Sequence, residues 1–501
     1  MTRRSLPHQI ETVWSLDPSA QALEFEGRWF NWGELRDAAR AIDSALTAAG
    51  IGEGAAVGVM LRNHPGMVAA LLGLLVSNRA IVSLSPFQPV EKLHEDFRKL
   101  QLPVVIAAGQ DWAGARTAAL AQELGTLGLS IARGEIAPIV QTSAYRADLP
   151  HQEPLAGTAL EILTSGTTGT PKRIRISYKT MQDAIVDGAT SSGKGEQAEL
   201  AIKTTPSVNF APLMHVSGMF GTLLSVFEAR PVVLMEKFAI DAWADTVAAH
   251  KIRFTSLPPT PMRMVLDADV PKEKLASLIA VRAGTAPLPP ETQKEFQTRY
   301  DIPVLVQYGA TEWMGGIAGW TLDDHKKFGA SKLGSVGRPR GGVKLRITDV
   351  DSGAEVPAGQ PGILEVLPTQ RLDASEWMRT TDLASLDEDG FLYIHGRVDD
   401  TIIRGGFKVQ LNYVADVLMR HPAVLEASVI GLPDARLGQV PVAAIEMRPA
   451  AAAPNEAELK AFAQQHLTPY QVPLKFKVVD ALPRTISMKV SRPGVKALFD
   501  A

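Results

Sequence analysis

The chain has 501 residues, of which 46% are hydrophobic and 21% charged, and its formal net charge is −3. This length exceeds what one hydrophobic core usually serves, so we expect at least two domains. The near-neutral charge argues against a nucleic-acid-binding protein, and the lack of cysteine excludes disulfides, thiolate metal sites and a cysteine nucleophile.

No apolar block of signal-peptide length follows the first residues. The longest apolar stretch, residues 66–76, is shorter than the roughly 20 residues that span a bilayer. We therefore expect a cytoplasmic protein with no membrane span.

Short β-branched runs alternate with helical segments over the first 340 residues. Strands are predicted at 55–61, 80–84, 103–107 and 159–163, and a helix at 66–76. Such alternation predicts parallel sheets covered by helices. Proline clusters at 258–261 and 287–290 predict loops.

The pattern changes after residue 341, where strands separated by Asp/Gly turns are predicted at 343–350, 362–367 and 390–395. Further strands at 424–431 and 440–447 and a helix at 456–466 predict a small α+β domain. The predicted fold class is therefore α/β. A large N-terminal domain (1–398) holds parallel-sheet α/β subdomains plus a β-rich subdomain, and a small mobile α+β domain (399–501) follows.

A loop rich in glycine and hydroxyl residues follows the strand at 159–163. Its residues are Thr164, Ser165, Gly166, Thr167, Thr168, Gly169, Thr170, Pro171 and Lys172. Glycine lets the backbone N–H groups approach an anion, hydroxyls add donors and lysine adds a mobile charge. The loop therefore predicts a nucleoside triphosphate site. The alternative is an ordinary solvated turn, and the loop differs from a P-loop because proline precedes the lysine.

Five further segments follow this loop: Gly284-Thr285-Ala286-Pro287-Leu288, Tyr308-Gly309-Ala310-Thr311-Glu312, Arg379-Thr380-Thr381-Asp382, Gly396-Arg397-Val398-Asp399-Asp400 and residues 482–489, which end at Lys489. Together and in this order, they resemble the motifs of adenylate-forming enzymes, which include acyl- and aryl-CoA ligases, peptide-synthetase adenylation domains and luciferases. Six motifs in order are far more specific than any one alone.

The resemblance implies that a carboxylate attacks the α-phosphate of ATP to give an acyl-adenylate and pyrophosphate. Because the two anions repel, the site must supply positive charge and alignment. Lys489 would contact the oxygens of the carboxylate and the α-phosphate while negative charge moves between them. Thr311 and Glu312 would also be catalytic residues, and Glu312 would help to hold Mg²⁺.

The same resemblance places the nucleotide. The loop from Thr164 to Lys172 would hold the phosphates, residues 284–287 would border the acyl group and adenine, and Tyr308 and Gly309 would lie at the adenine. Asp382 would accept the ribose hydroxyls, with Arg397 beside it.

Each of these side chains has a simpler interpretation. Glu312 could cap a helix, and Tyr308 could be a core residue. Asp382 could be a turn aspartate. Arg397 could form a surface ion pair, and Lys489 could be solvated.

The acid pocket is predicted from apolar and glycine residues around His215. Its members are Phe210, His215, Gly218, Met219, Gly284, Gly309, Met314 and Gly315. In similar enzymes the residue at His215 lines the pocket and gates the second substrate, although a histidine in apolar surroundings could also be a satisfied core residue. Because no aspartate near His215 could pair with an amino group, an aromatic or aliphatic acid is favoured.

Transfer of the acyl group is predicted to follow rotation of the C-terminal domain about Asp399, with Gly405 and Gly406 bordering the acceptor tunnel. The glycine pair could also be a plain hairpin turn. Coenzyme A is the preferred acceptor; an amine, giving an amide, is the nearest alternative. A carrier protein or a non-catalytic nucleotide-binding regulator would be others, and the oligomeric state is left open.

The chain departs from the usual motifs at four positions. Thr381 replaces a glycine and is expected to stiffen a turn, while Arg173, Asn412 and Met488 also replace the usual residues. None of the four removes a group with a predicted catalytic role.

Overall fold

The computed structural model describes residues 5–113, 116–164, 172–190, 200–368, 376–448, 454–485 and 489–500. Its described residues form two compact units, which divide between Leu333 and Gly334. The β-rich segment therefore clusters with the C-terminal part of the chain. The boundary predicted at 398/399 is that of the domain expected to rotate, and it stays a prediction.

The first unit, up to Leu333, is an α/β assembly of mixed sheets. Its helices are α1 Leu6–Leu16, α2 Trp32–Ala48, α3 Pro65–Val76, α4 Val90–Leu100, α5 Gly109–Trp112, α6 Thr117–Glu123, α7 Tyr178–Thr190, α8 Val216–Phe227, α9 Ile240–His250, α10 Pro259–Asp267, α11 Lys272–Leu275, α12 Pro290–Tyr300 and α13 Leu322–Phe328. Its strands are β1 Gln21–Phe25, β2 Arg28–Asn31, β3 Ala56–Met60, β4 Ala80–Leu84, β5 Val104–Ala108, β6 Leu127–Ile131, β7 Ile139–Ser143, β8 Thr158–Thr164, β9 Lys172–Ser177, β10 Ser207–Asn209, β11 Val232–Leu234, β12 Phe254–Ser256, β13 Ala280–Ala283, β14 Val304–Ala310 and β15 Gly315–Gly319.

The largest sheet of the first unit has the strand order β7-β6-β5-β3-β4-β8-β9. Its inner neighbours are parallel, whereas β7 and β9 run antiparallel at the two edges. The residues of β3, β4 and β5 are all buried, as expected for parallel strands covered on both faces. The predicted β-α-β alternation is confirmed.

Two other sheets complete the first unit. One has the order β10-β11-β1-β2. In the other, β12, β13 and β14 are parallel neighbours, and β15 returns antiparallel to β14. The carboxyl ends of β13 and β14 therefore lie at one edge, where the predicted nucleotide segments begin.

One predicted loop of the first unit is wrong. The proline cluster at 258–261 includes the first turn of α10, which begins at Pro259. Proline is accepted there because the first N–H groups of a helix have no intrahelical partner.

Helix α3 is buried almost throughout, and His64 caps its N-terminus. The Gly66 N–H donates to His64 Nδ1 at 3.0 Å, and His64 is 3% exposed. Burial lowers the pKa of His64 to about 4, and the charges of Arg133 and Arg62 act in the same direction.

Because the pKa of His64 is lowered, we expect the fold to lose stability at acidic pH. Between pH 6.5 and 4 the unfolded chain binds a proton at His64 that the folded chain does not, so the free energy of unfolding falls as the pH falls. At ~1.4 kcal/mol per pKa unit the loss is about 3 kcal/mol. Urea unfolding at several pH values checks it. His64→Asn keeps a capping side chain and should flatten the pH dependence; an unchanged slope would contradict the assignment.

The second unit begins at Gly334. Its strands are β16 Arg338–Pro339, β17 Lys344–Thr348, β18 Gly362–Leu367, β19 Met378–Leu386, β20 Leu392–Arg397, β21 Thr401–Arg404, β22 Phe407–Gln410, β23 Val424–Asp434, β24 Gly438–Met447 and β25 Phe476–Val479. Its helices are α14 Leu411–Leu418, α15 Glu456–His466 and α16 Arg492–Ala497. The antiparallel order β17-β18-β19-β20 forms one sheet, and β22-β21-β24-β23 forms another, with β25 parallel to β24.

The predicted elements of the second unit are confirmed. Strand β18 and helix α15 have the predicted bounds. Helix α15 begins with a capping box in which Asn455 and Glu458 bond reciprocally. The predicted α/β fold class, with a separate C-terminal domain, is confirmed. Within the described ranges, no helix has both the length and the apolar character to cross a membrane.

Candidate active site

The predicted nucleotide segments of the first unit lie at the carboxyl ends of β13 and β14. Gly284 follows β13, and Tyr308, Gly309 and Ala310 end β14. Because β13 and β14 are parallel neighbours, their following residues share one edge of the sheet. The sheet therefore brings together two motifs that are more than 20 residues apart in sequence.

The segment after β13 is exposed and strained. Thr285 adopts φ 69°, a left-handed conformation that is costly for a β-branched residue. Thr285, Ala286 and Pro287 are exposed, so the loop offers its surface to solvent rather than to the core. Strain of this kind is concentrated at binding loops.

Glycine is required at position 309 for a packing reason. A Cβ atom there would lie 2.1 Å from the carbonyl oxygen of Gly315, where β14 and β15 make a bulge. The sequence analysis placed Gly309 in the acid pocket; the close approach of two strands is an additional reason for glycine at this position.

Glu312 lies in a single 3-10 turn, Thr311–Trp313, directly after β14. The turn has no side-chain cap, so the helix-capping interpretation of Glu312 is wrong. The turn packs against β9, whose first residue is Lys172. The turn that carries Glu312 thus lies beside the strand that follows the predicted phosphate loop.

The remainder of that loop lies largely outside the described residues. Ser165, Gly166, Thr167, Thr168 and Gly169 are not described, and Thr164 is described only as the last residue of β8. Lys172 is exposed at the start of β9.

Tyr308 is half-buried, with its ring centroid 6.4 Å from that of Trp313. A plain core residue would be closed off from solvent, whereas this ring keeps exposed surface. Its place at the end of β14 fits a stacking surface for a planar base.

Two buried asparagines, which sequence reasoning missed, hold the segment that leads to His215. Asn63 donates to the carbonyls of Ala211 (3.1 Å) and Met235 (2.9 Å) and accepts from the Leu213 N–H (2.8 Å). Asn209 donates to the carbonyl of Gly218 at 2.9 Å. Asn63 is 150 residues from Leu213, so no local pattern could have revealed the contact.

His215 precedes α8 and is half-buried. Gly218, in the first turn of α8, must be glycine because a Cβ would lie 2.3 Å from the Pro212 carbonyl. The two asparagines and this close contact fix the position of His215 directly before α8.

The predicted pocket residues divide into core and lining. Phe210, Met219 and Met314 are buried, and the two methionines belong to the main hydrophobic core. Phe220 lies beside Gly315, with ring carbons 3.6 and 3.8 Å from where a Cβ would be. Since α8 packs against β15, the predicted acid-pocket segments are adjacent within the first unit.

In the second unit, Asp382 and Arg397 are partners on neighbouring strands. The β19–β20 register pairs them directly, and Arg397 Nε lies 3.6 Å from Asp382 Oδ1. The interpretation of Asp382 as a turn aspartate is wrong, because residues 379–382 lie inside β19. Thr381 therefore does not stiffen a turn.

Arg379, of the same motif, has an anchoring role. The carboxylate of Glu365, 7% exposed, lies 2.7 Å from Arg346 Nη2 and 3.5 Å from Arg379 Nη1. Burial opposes ionisation of Glu365, but the hydrogen bonds from Arg346 and Thr348 outweigh it, and its pKa is lowered. This ion network ties β17 and β18 to β19, the strand that carries Asp382.

Lys489 lies directly before Val490, which forms a short bridge in the second unit. Arg484 and Val490 pair antiparallel, and the Thr485 N–H donates to the Lys489 carbonyl at 2.7 Å. Arg484 is held in turn by Glu426 at 2.5 Å and Glu446 at 3.2 Å. The Lys489 residue retains exposed surface. Protein atoms near its ammonium nevertheless displace water and lower its pKa, and the charge of Arg397 lowers it further.

The residues predicted as hinge and tunnel lie in a 3-10 turn and in the turn of a hairpin. Asp399 lies in a 3-10 turn, Val398–Asp400, directly after Arg397. Gly405 and Gly406 adopt φ 55° and 88° between the paired residues Arg404 and Phe407. The hairpin-turn interpretation of the glycine pair is confirmed, and it is compatible with a tunnel role.

Glu312 fits a magnesium ion held mainly by substrate. Among the described residues, no group of three or more His, Asp or Glu side chains could hold a metal. Mg²⁺ commonly binds one or two carboxylates together with phosphate oxygens, and the half-buried Glu312 supplies one carboxylate.

The family to which these motifs belong follows from comparison with known proteins. The AMP-binding enzyme family matches residues 10–367, and the AMP-binding enzyme C-terminal domain matches residues 413–489. The chain belongs to the AMP-binding enzyme family. The predicted membership of the adenylate-forming superfamily, on the acid–CoA ligase branch, is confirmed.

Three similar proteins illustrate this membership. The 2-succinylbenzoate–CoA ligase of Geobacillus kaustophilus is 30% identical over 99% of this chain and 98% of its own. The o-succinylbenzoate CoA synthetase of Bacillus subtilis, solved with an acyl-adenylate intermediate, is 25% identical with a TM-score of 0.79 over 99% of both chains. The amide bond synthetase McbA of Marinactinospora thermotolerans is 25% identical with a TM-score of 0.80, over 99% of this chain and 100% of its own.

Proposed function

We propose that this AMP-forming acid–CoA ligase activates an aromatic or aliphatic carboxylic acid with ATP and transfers the acyl group to coenzyme A. The observation that carries the proposal is that the segments after β13 and β14 share one edge of a sheet, with the turn after β14 in contact with β9. That edge of the sheet combines a strained exposed loop, a half-buried tyrosine and a carboxylate.

In the first step a carboxylate oxygen attacks the α-phosphorus of ATP, and the bond to the β-phosphate breaks to release pyrophosphate. Lys172 and the loop before it would hold the β- and γ-phosphates, with Tyr308 against the adenine. Glu312 would hold Mg²⁺, which neutralises phosphate charge when bound. Lys489 would stabilise the charge that develops between the acid and the α-phosphate.

The ribose would be held by Asp382, whose two carboxylate oxygens can accept both hydroxyls. The strand pairing of Asp382 with Arg397 supports this role, because it presents an acceptor and a donor side by side. The nucleotide would thus be fixed at its base, sugar and phosphates.

The acid would lie beside His215 and α8. The half-buried ring of Phe220 lies there beside Gly315, which favours a ring or aliphatic chain over a charged group. In the second step the CoA sulfur attacks the acyl carbon and AMP leaves, after rotation about Asp399 brings the Gly405–Gly406 turn into use.

A pyrophosphate-release assay tests the proposal. With ATP and Mg²⁺, aryl and aliphatic acids should release pyrophosphate, and added CoA should yield a thioester and AMP. A panel of polar amino acids is the matched control. Turnover confined to those amino acids would contradict the proposed acid pocket, and no pyrophosphate with any acid would contradict the activity.

An amine is the alternative acceptor, since an amide bond synthetase shares the fold over the full chain. The same reaction with a panel of primary amines in place of CoA decides between the two. Amide formation with amines and no thioester with CoA would favour the alternative.

A further inference from the structure

The hydroxyl of Thr381 holds the guanidinium of Arg397. Arg397 Nε donates to Thr381 Oγ1 at 2.9 Å, and Nη2 makes a second, short hydrogen bond to the same oxygen. A hydroxyl oxygen has two lone pairs, so it can accept both bonds. This contact depends on the threonine that replaces the usual glycine of the motif, because glycine has no side-chain acceptor.

The strand geometry makes this contact specific. Thr381 and Arg397 are 16 residues apart, and the register of β19 with β20 pairs Arg397 with Asp382, the next residue along. The neighbouring threonine is used differently: Thr380 donates to the Leu364 carbonyl at 2.8 Å and accepts from the Asp382 N–H at 3.0 Å. Thr380 thus secures the strand, whereas Thr381 faces the arginine.

The bond adds a restraint on the orientation of the Arg397 guanidinium, beside its ion pair with Asp382. Arginine loses substantial rotamer freedom when it is held in one orientation. The Arg397 side chain is 34% exposed and Thr381 is itself exposed, so polar contacts restrain the guanidinium more than packing does. With two N–H groups on Thr381, the guanidinium is kept beside Asp382 before any nucleotide arrives.

We propose that Thr381 is a positioning residue that pre-orients Arg397 beside Asp382 to receive the nucleotide ribose. This inference rests on the proposed function, because it concerns the same nucleotide site. Pre-orientation lowers the entropy cost of binding. Its effect therefore belongs to nucleotide affinity rather than to the chemical step.

Thr381→Val tests the inference, because it keeps the β-branched shape and removes the acceptor. We expect the dissociation constant for AMP, measured by titration calorimetry, to rise about five- to tenfold, the effect of losing a hydrogen-bond acceptor for a charged group at an exposed site. The KM for ATP should rise similarly, while kcat and the KM for the acid stay near wild type. Thr381→Ser keeps the hydroxyl and should restore AMP affinity.

The inference would be overturned if Thr381→Val bound AMP as tightly as wild type or more tightly, or if Thr381→Ser failed to restore affinity. Tighter binding would mean that Thr381 withholds Arg397 from the nucleotide. A lowered melting temperature in Thr381→Val that accounts for the affinity loss would also overturn it. The AMP titration needs neither acid nor acceptor, so it separates this inference from the proposed function. Failure of the wild type to activate any acid would sink only the proposed function.

Discussion

Lys489→Ala should lower the rate of acyl-adenylate formation by about 10²–10³-fold, the usual effect of removing one group that stabilises transition-state charge. ATP affinity should change little, because the phosphates have other proposed partners. Single-turnover formation of the adenylate, with separate ATP titration, measures both quantities. The variant should still convert synthetic acyl-adenylate to acyl-CoA, since the lysine is assigned only to the first step.

The control for this prediction is Lys496→Ala. Lys496 is an exposed lysine of α16, seven positions further along the same unit, and its loss should leave both steps unchanged. Equal loss of rate in the two variants would contradict a specific role for Lys489.

The pH dependence of the first step should carry the signature of the same lysine. Burial of the ammonium and the charge of Arg397 lower the pKa of Lys489 below its ordinary value. The ammonium group therefore loses its proton at a lower pH than that of a solvated lysine. Adenylate formation by wild type should therefore decline on the alkaline side before pH 10.5, whereas the residual rate of Lys489→Ala should show no such decline.

Asp399→Pro should impair acyl transfer by about tenfold or more while it affects adenylate formation much less. Proline fixes φ near −65° and removes an N–H group, so the backbone can no longer rotate freely at the proposed hinge. The residue that follows is firmly held: Asp400 is 5% exposed, accepts from Asn412 Nδ2 at 2.9 Å and pairs with Arg492. Rotation at residue 399 would therefore carry α14 and α16 with it.

Asp399→Ala is the matched control, because alanine removes the carboxylate but leaves φ and ψ free. It should transfer the acyl group at close to the wild-type rate. Rates for the two half-reactions, measured separately with acid plus ATP and with synthetic acyl-adenylate plus CoA, decide the matter. Should both rates fall by the same factor in Asp399→Pro, the rotation hypothesis would lose its support.

Local structure was largely predictable from sequence, because it depends on side-chain periodicity and on turn residues. Strand β18 and helix α15 were predicted with their observed bounds, and the Gly405–Gly406 turn follows from the freedom of glycine at positive φ. The failure at Pro259 has the opposite cause. Proline both breaks helices and begins them, and only the surrounding chain decides which occurs.

The sequence by itself determined the family, because six motifs carry the required residue types in a specific order. Only the tertiary structure decided that Asp382 lies in a strand opposite Arg397, that Thr381 bonds that arginine, and that Asn63 holds the approach to His215. These contacts depend on strand register and on chain segments up to 150 residues apart. The physical reason is that shifting the pairing of a strand by one residue would turn each of its side chains to the opposite face of the sheet. No local pattern of residues specifies that register.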